Sequence, residues 1–280
     1  MRVDVLLVQR ELAPSRNQAS AMVTAGRVFV NGVSARKASQ DVAEDSELLV
    51  LPAVDYVSRA GHKLAHALEV FAQIDVVGQN ALDVGASTGG FTDVLLRAGA
   101  NNVVAVDVGH DQIVAGLRDN SRVIVVEGFN ARHLSIEALA QVSGLRSEIT
   151  ASGLPKRGGL LDFGLVVADL SFISLTLVLK QMLDTAPNAD FVLLIKPQFE
   201  VGKQSLAASG VVADHRLRAQ AIEQVVDFAY ANGATVHGLE RSPMPGTHGN
   251  VEYLLWISSR PGVYRSEWTM RIESLAKEGR

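Results

Sequence analysis

The sequence of 280 residues contains no cysteine. That excludes a disulfide framework, a thiolate nucleophile and any thiolate metal ligand, and it fits a reducing compartment. No stretch reaches the roughly 18 uncharged apolar residues that a membrane helix needs. A secretory leader is not indicated either: "MRVDVLLVQRELAPSR" carries acidic and basic side chains inside its apolar run and reads as an amphipathic helix. Net positive charge is lacking as well; the chain stands at −4, which argues against a wholly basic nucleic-acid binder. What remains is ordinary for a globular protein, 48% hydrophobic and 20% charged. The expectation is a soluble cytoplasmic protein with one large core and room for a small second domain.

The average charge hides a division. Residues 1–40 hold Arg2, Arg10, Arg16, Arg27, Arg36 and Lys37 against Asp4 and Glu11, six basic residues to two acidic ones and a net of +4. Asp41, Glu44, Asp45, Glu47 and Asp55 follow at once. A basic head thus sits on an acidic body. The head also looks like a folding unit of its own. A first helix is expected with Val5, Leu6, Val8 and Leu12 in helical phase, then a second with Ser15 as N-cap and Gly26 closing it. "RVFVNGVSA" places Asn-Gly between two short strands, a strong hairpin signal. "SELLVL" supplies one more strand, and the stretch from Pro52 to Val57 reads as a linker.

From Ser58 onward the pattern changes to strands alternating with helices. A helix with Ala60, Leu64, Ala67, Leu68 and Phe71 on one face comes first. Seven strands follow: "NALDVG", "NNVVAVDVG", "RVIVVEG", "LVVADLS", "FVLLIKP", "GATVHGLE" and "NVEYLLWISS". Nearly unbroken apolar runs are what strands covered on both faces require. The fold expected is α/β, a doubly wound, mostly parallel seven-stranded sheet, with the last strand free to pair antiparallel. The polar, glycine-rich stretch 142–164 reads as a loop, mildly basic through Arg146, Lys156 and Arg157.

"LDVGASTGGF" puts a glycine-rich turn directly after the first of these strands. Glycines let backbone approach a ligand, and the following helix offers free N–H groups. The spacing matches neither the dinucleotide fingerprint G-x-G-x-x-G nor the triphosphate loop G-x-x-x-x-G-K-[ST], and no Lys or Arg in the turn is available to a phosphate. That suits S-adenosylmethionine, which has none. Candidate contacts are Asp83, Gly85, Ser87, Thr88, Gly89, Gly90 and Phe91. Asp107, ending the next strand, is placed to accept from ribose hydroxyls. Asn130, after the third strand, is placed to read an adenine edge.

Four charges stand where an apolar pattern should continue. Asp169 and Lys196 end buried-looking strands, at the edge where open α/β sheets hold ligands. Lys63 borders the buried stripe of its helix. Glu252 alternates in phase with Leu254 and Trp256. Any one of them reads equally well as a solvated or structural charge; together they point to a site, to which Asp169 would also bring a cofactor contact. His62 and His66 lie four apart on a helix but lack the Glu of the metalloprotease pattern, so no metal is expected.

On "VSRAGHKL", "LDVGASTGGFT", "VVADLSFISL", "KPQFEVGK" and "GNVEYLLW" the chain resembles the TlyA (haemolysin A) family of ribosomal RNA 2′-O-methyltransferases, which carry an FtsJ-like catalytic domain. "SRNQASAMVTAGRVFVNG" is similar to the alpha-L type RNA-binding motif. The resemblance implies a Lys-Asp-Lys-Glu tetrad at Lys63, Asp169, Lys196 and Glu252, S-adenosylmethionine as cofactor, and ribosomal RNA or ribosomal subunits as partner. It implies an RNA-binding domain at 1–52, a linker at 53–58, a methyltransferase domain at 59–260, a C-terminal extension at 261–280, and a monomer. Arg2, Arg16, Arg27, Arg36 and Lys37 are then the candidate phosphate contacts. Lys196 is the expected base, its pKa lowered by burial and the second lysine and opposed by the two carboxylates, with Lys63 positioning the hydroxyl. The rival readings are a non-catalytic RNA-binding assembly factor, against which the full tetrad and cofactor loop speak, and a membrane-damaging protein, for which no spanning or strongly cationic amphipathic helix exists. A nicotinamide oxidoreductase would share the fold but not the loop spacing.

Overall fold

The computed structural model describes residues 1–24, 26–51, 56–148, 156–202, 206, 209–246 and 249–278. Most of the expected linker, 52–55, and the middle of the glycine-rich stretch, 149–155, lie outside these.

The basic head forms two helices, α1 (Val3–Gln9) and α2 (Arg16–Thr24), against a small antiparallel sheet of β1 (Val28–Val30), β2 (Val33–Ser34) and β3 (Leu48–Val50), in the order β2-β1-β3. The hairpin turns through Asn31 and Gly32, both at positive φ (48° and 77°), as the tight two-residue turn requires. It pairs Val30 with Val33 and Phe29 with Ser34. Ser15 Oγ accepts from Gln18 N–H, capping α2. The face of α1 differs from expectation. Val3, Leu6 and Leu7 are buried, whereas Leu12 is exposed beyond the helix end. The buried set follows the i, i+3, i+4 rule, and it carries Asp4 inward with it.

The remainder is one seven-stranded sheet covered on both faces. Its elements are α3 (Ala60–Val70), β4 (Asn80–Val84), α4 (Gly90–Arg97), β5 (Asn102–Val106), α5 (Ala115–Arg118), β6 (Val123–Val126), α6 (Ile136–Val142), β7 (Phe163–Ala168), α7 (Leu179–Thr185), β8 (Asp190–Ile195), α8 (Pro197–Glu200), α9 (His215–Ala231), β9 (Thr235–Arg241), β10 (Tyr253–Ser258) and α10 (Thr269–Lys277). The strand order is β6-β5-β4-β7-β8-β10-β9. All neighbours through β8 are parallel, and β10 is antiparallel to both β8 and β9. The last strand is thus an inner one, inserted between β8 and β9, which explains why all six of its residues are buried. The order reverses at β4, whose neighbours β5 and β7 lead to opposite halves of the sheet. This is the switch point where doubly wound folds open a crevice.

Side-chain alternation divides the core. Val192 and Leu194 of β8, Leu165 and Val167 of β7, and Leu254 and Trp256 of β10 face α3 and α4. Phe191, Leu193 and Ile195 face the other way, toward the layer containing α7, α9 and α10. The C-terminal segment belongs to that second layer. Ile272 and Leu275 of α10 are fully buried, and Arg218 of α9 donates to Ala276 O from Nε and Nη2 at 3.0 and 2.7 Å. The described ends of the 142–164 stretch are held rather than loose: Leu160 N–H donates to Glu148 Oε2 and Leu161 is buried. Replacing Ile272 by Ala should cost about 2–4 kcal/mol through the cavity it leaves, read as a shift of the urea midpoint at unchanged slope.

Candidate active site

The alternation that builds the core also assembles the site. Continuing β8 in the phase of Val192 and Leu194 gives Lys196. Continuing β7 in the phase of Leu165 and Val167 gives Asp169. Stepping back from Leu254 on antiparallel β10 gives Glu252. All three therefore leave the same edge of the sheet on the face covered by α3, and Lys63 meets them from that helix. Lys63 Nζ donates to Glu252 Oε2 at 2.6 Å. Lys196 Nζ lies 2.6 Å from Asp169 Oδ1 and donates to Ser171 Oγ at 2.9 Å. The four side chains are only 2–15% exposed.

Such burial is a poor source of stability, since desolvation offsets the Coulomb gain; buried, paired charges facing a cavity are instead the mark of a functional site. For Lys63, burial alone would favour the neutral amine, but the carboxylates of Asp169 and Glu252 outweigh it and hold the ammonium above its ordinary range. Glu252 is seated by the segment 242–246, where Ser242 N–H donates to Glu252 O at 2.8 Å. A Cβ on Gly246 would lie 2.1 Å from Glu252 Oε1, so only glycine lets the loop pass this close.

Two adjoining cavities open at this edge and share Gly85, Ser87, Asp169 and Ser171. The first, of about 300 Å³, is lined by the tetrad together with Thr88, Gly90 and Phe91. The second, of about 610 Å³, runs past Asp107 to Asn130, between apolar walls that include Val106, Phe129, Leu170 and Ile173. Their junction depends on the β4–β7 pairing. Asp169 N–H donates to Val84 O, so the glycine turn passes beside Asp169. Gly85 has φ +88°, and a Cβ there would sit 3.0 Å from Asp169 O. The turn is braced by Asp107, whose Oδ2 accepts from Ser87 N–H at 2.8 Å and Oδ1 from Gly109 N–H at 2.7 Å. Each oxygen keeps a lone pair for a ligand hydroxyl. Asn130 Oδ1 accepts from Arg132 N–H, which caps a short 3₁₀ turn. Asp83 lines neither cavity. It is fully buried beneath the turn, and its Oδ2 accepts from Thr92 Oγ1 at 2.6 Å. Gly89 caps α4 behind the cavity wall, packed near Leu117.

A model of FtsJ-like methyltransferases matches residues 56–259, and an S4 domain model matches 1–48. The chain is 46% identical to the 16S/23S rRNA (cytidine-2′-O)-methyltransferase TlyA of Mycobacterium tuberculosis, over 92% of this chain and 90% of that protein. It is 31% identical to the 23S rRNA (cytidine-2′-O)-methyltransferase TlyA of Campylobacter jejuni, over 91% and 98%. A solved structure of a haemolysin-named protein of Streptococcus thermophilus superposes with TM-score 0.70 at 34% identity, covering 100% of this chain and 95% of that one. The chain belongs to the FtsJ-like methyltransferase family, in its TlyA group. Among the described residues no helix is long and apolar enough to cross a membrane, and no cluster of three or more metal-ligating side chains occurs.

Three residues of this TlyA-type site escaped the sequence reading. Ser171, two after Asp169 and in its phase, takes the hydrogen bond from Lys196. Phe172 is 92% exposed at φ +65°, a costly conformation for an aromatic residue, with its ring 5.3 Å from that of Phe199. Glu200 is buried and accepts from Ser174 Oγ and Leu175 N–H; burial pushes its carboxyl upward against those two donors. It ties the segment after Asp169 to the helix after Lys196. A carboxylate four residues beyond a site lysine was the available signal.

The basic residues of the S4 domain divide by partner. Arg2 and Arg16 both hold the buried Asp4. Burial alone would raise the Asp4 carboxyl, but the two guanidiniums outweigh it and lower it. Both keep about half of their side-chain surface exposed, at 46% and 56%. Arg27 donates to Leu51 O through Nε and Nη2, fastening the exit of β3. Arg36 and Lys37 are exposed and make no side-chain ion pair among the described residues.

Two outcomes test this geometry. Asp83 is pushed up from 3.8 to about 7, chiefly by burial. A carboxyl raised in the folded state costs stability progressively as pH rises from about 4 to 7, and fully above that. Asp83→Asn should therefore stabilise the protein by about 2–4 kcal/mol at pH 8 and leave it nearly unchanged at pH 4, as measured by denaturation at the two pH values. Gly246→Ala should displace the Glu252 carboxylate from Lys63 and lower methyl transfer by about tenfold or more, with thermal stability falling by about 1–3 kcal/mol.

Proposed function

We propose that this protein transfers the methyl group of S-adenosylmethionine to the 2′-hydroxyl of a cytidine in ribosomal RNA, acting on ribosomal subunits in the cytoplasm. The observation that carries the reading is the tetrad itself: two lysines and two carboxylates, buried and paired, at the mouth shared by a glycine-turn cavity and a second cavity. The named activities of the TlyA relatives and the S4-type head support it.

The residues present suit the cofactor. The cavity beside Asp107 and Asn130 has apolar walls for a purine and a carboxylate with lone pairs for ribose hydroxyls, and Gly85 allows close backbone approach at its other end. S-adenosylmethionine, when bound, supplies an electrophilic methyl on a sulfonium that leaves as a neutral thioether. The residues of this chain handle the proton. A ribose hydroxyl is a weak nucleophile and must lose its proton during attack. Lys63, kept as an ammonium by its two carboxylates, donates to the 2′-oxygen and orients it. Lys196, in its neutral form, takes the proton as the oxygen–carbon bond forms. Asp169 and Glu252 fix the two amines, so that most of the rate comes from alignment.

The S4 unit at 1–52 and the methyltransferase unit at 59–260 divide binding from chemistry. Arg36 and Lys37, with the exposed parts of Arg2 and Arg16, offer cations to RNA phosphates; Arg27, spent on Leu51 O, serves the domain's fold. Methyl-tritiated S-adenosylmethionine with unmodified subunits should label one ribose, located by alkaline-resistance mapping. Lys196→Ala should lower transfer by about 10²–10⁴-fold while cofactor affinity stays within about twofold. Wild-type turnover in that variant would sink the assignment of the base, and absence of ribose label with the wild-type protein would sink the function.

A further inference from the structure

The tetrad offers a polyanion no net positive charge: two amines face two carboxylates. A substrate ribose cannot present its 2′-hydroxyl there without bringing its 3′-phosphodiester, which is attached at the adjacent carbon. That anion must come to rest at the rim of the same cavity. Among the described residues, the charged ones lining the cavity are the tetrad and one more, Arg59.

Arg59 stands immediately before α3, four residues ahead of Lys63, and is exposed. It makes no ion pair or hydrogen bond through its side chain among the described residues; it rests against an aromatic ring, and its charge opposes that of Lys63. Its guanidinium carbon lies 5.8 Å from the ring centroid of Phe29. Phe29 belongs to the β1–β2 hairpin of the S4 unit and is 1% exposed, packed with Leu51 and with Met244 of the loop that seats Glu252. Contact with an aromatic ring uses none of the guanidinium N–H donors on an acceptor, and those donors are what grip a phosphate. Arg59 is thus restrained by one domain, carried by the other, and left with its donors unspent beside a cavity whose other charges cancel.

We infer that Arg59 is the phosphate clamp of the active site, binding the phosphodiester that flanks the target ribose. The inference rests on the RNA-methylating function proposed above. It assigns Arg59 a positioning part in substrate binding, separate from proton transfer and from the cofactor.

The test compares wild type, Arg59→Ala and Arg59→Lys in binding to ribosomal subunits that lack the modification, with no cofactor present and across a range of KCl. Arg59→Ala should weaken binding about tenfold and reduce the slope of log affinity against log salt by about 0.7–0.9, the share of one phosphate. KM for RNA should rise in parallel, with kcat and S-adenosylmethionine affinity within about twofold of wild type. Arg59→Lys, which keeps the charge and loses the fork, should recover part of the affinity and all of the slope. Wild-type affinity and slope in Arg59→Ala would overturn the inference. So would weaker binding at an unchanged slope, or a loss of cofactor affinity, since either marks a merely structural role. A wild-type protein that neither binds nor methylates the subunits overturns the function itself, and the clamp with it.

Discussion

The mutual neutralisation of Lys63, Asp169, Lys196 and Glu252 is the constraint on which the rest depends. Each charge is too buried to be stable alone; an isolated ion in such a setting costs several kcal/mol, and pairing offsets that only when geometry is good. The four come from α3, the end of β7, the end of β8 and the start of β10, so the pairing demands that all four elements reach one edge in one phase. A one-residue slip in any strand would turn its charge to the opposite face and leave its partner uncompensated. The buried apolar runs secure that register, since a slip would also reverse every core side chain of the strand. Packing thus fixes the site, while the site itself adds little to stability.

The glycine turn depends on the same arrangement. Asp169 belongs to the tetrad and also borders the second cavity, because β7 lies next to β4 and the turn follows β4 directly. Placing the turn there requires a residue without Cβ at Gly85, a left-handed Ser87, and Asp107 to collect the N–H groups that the turn exposes. Beneath it Asp83 stays buried against Thr92, at a cost in stability that grows with pH. A carboxylate left under such strain in the foundation of a ligand loop fits the trade of stability for site geometry seen where function dictates structure.

Much of this was legible in the sequence, for one physical reason. A strand covered on both faces must be apolar throughout, so a charge at its end, as in "FVLLIKP" and "LVVADLS", stands out and its phase is countable. The seven strands and the charges at Asp169, Lys196 and Glu252 follow from that, whereas Lys63 is read from the apolar stripe of α3. Sheet order does not: the inner position of β10 is set by long-range pairing, and only its uniform burial hints at it. The burial of Asp4 was hidden because the arginines that neutralise it are two and twelve residues away, and a charge count treats all three as surface. That Arg27 also donates to Leu51 O is equally hidden, since the acceptor is a backbone carbonyl twenty-four residues away. Phe172 was missed because nothing in a sequence announces a left-handed backbone at an aromatic residue.

The seam between the two units was invisible for a different reason, and it matters most for how the parts act together. Phe29 reads as an ordinary hairpin residue and Met244 as part of a proline-rich loop; their contact exists only once both units are folded and docked. Yet the loop that Phe29 meets is the one whose Gly246 lies against Glu252. The S4 unit therefore does not hang on a tether as a separate hook for RNA. Its hairpin packs against the loop segment that meets Glu252, and its Phe29 lies against Arg59, the one cation outside the tetrad among the described residues lining that cavity. A chain of net charge −4 can bind a polyanion only where positive charge is locally concentrated, and the hairpin sits between two such places, the basic surface of the S4 unit and the rim of the catalytic cavity. On the function proposed above, capture of RNA by the first and presentation of a ribose at the second would be linked by packed side chains, tying the choice of substrate to the completeness of the site.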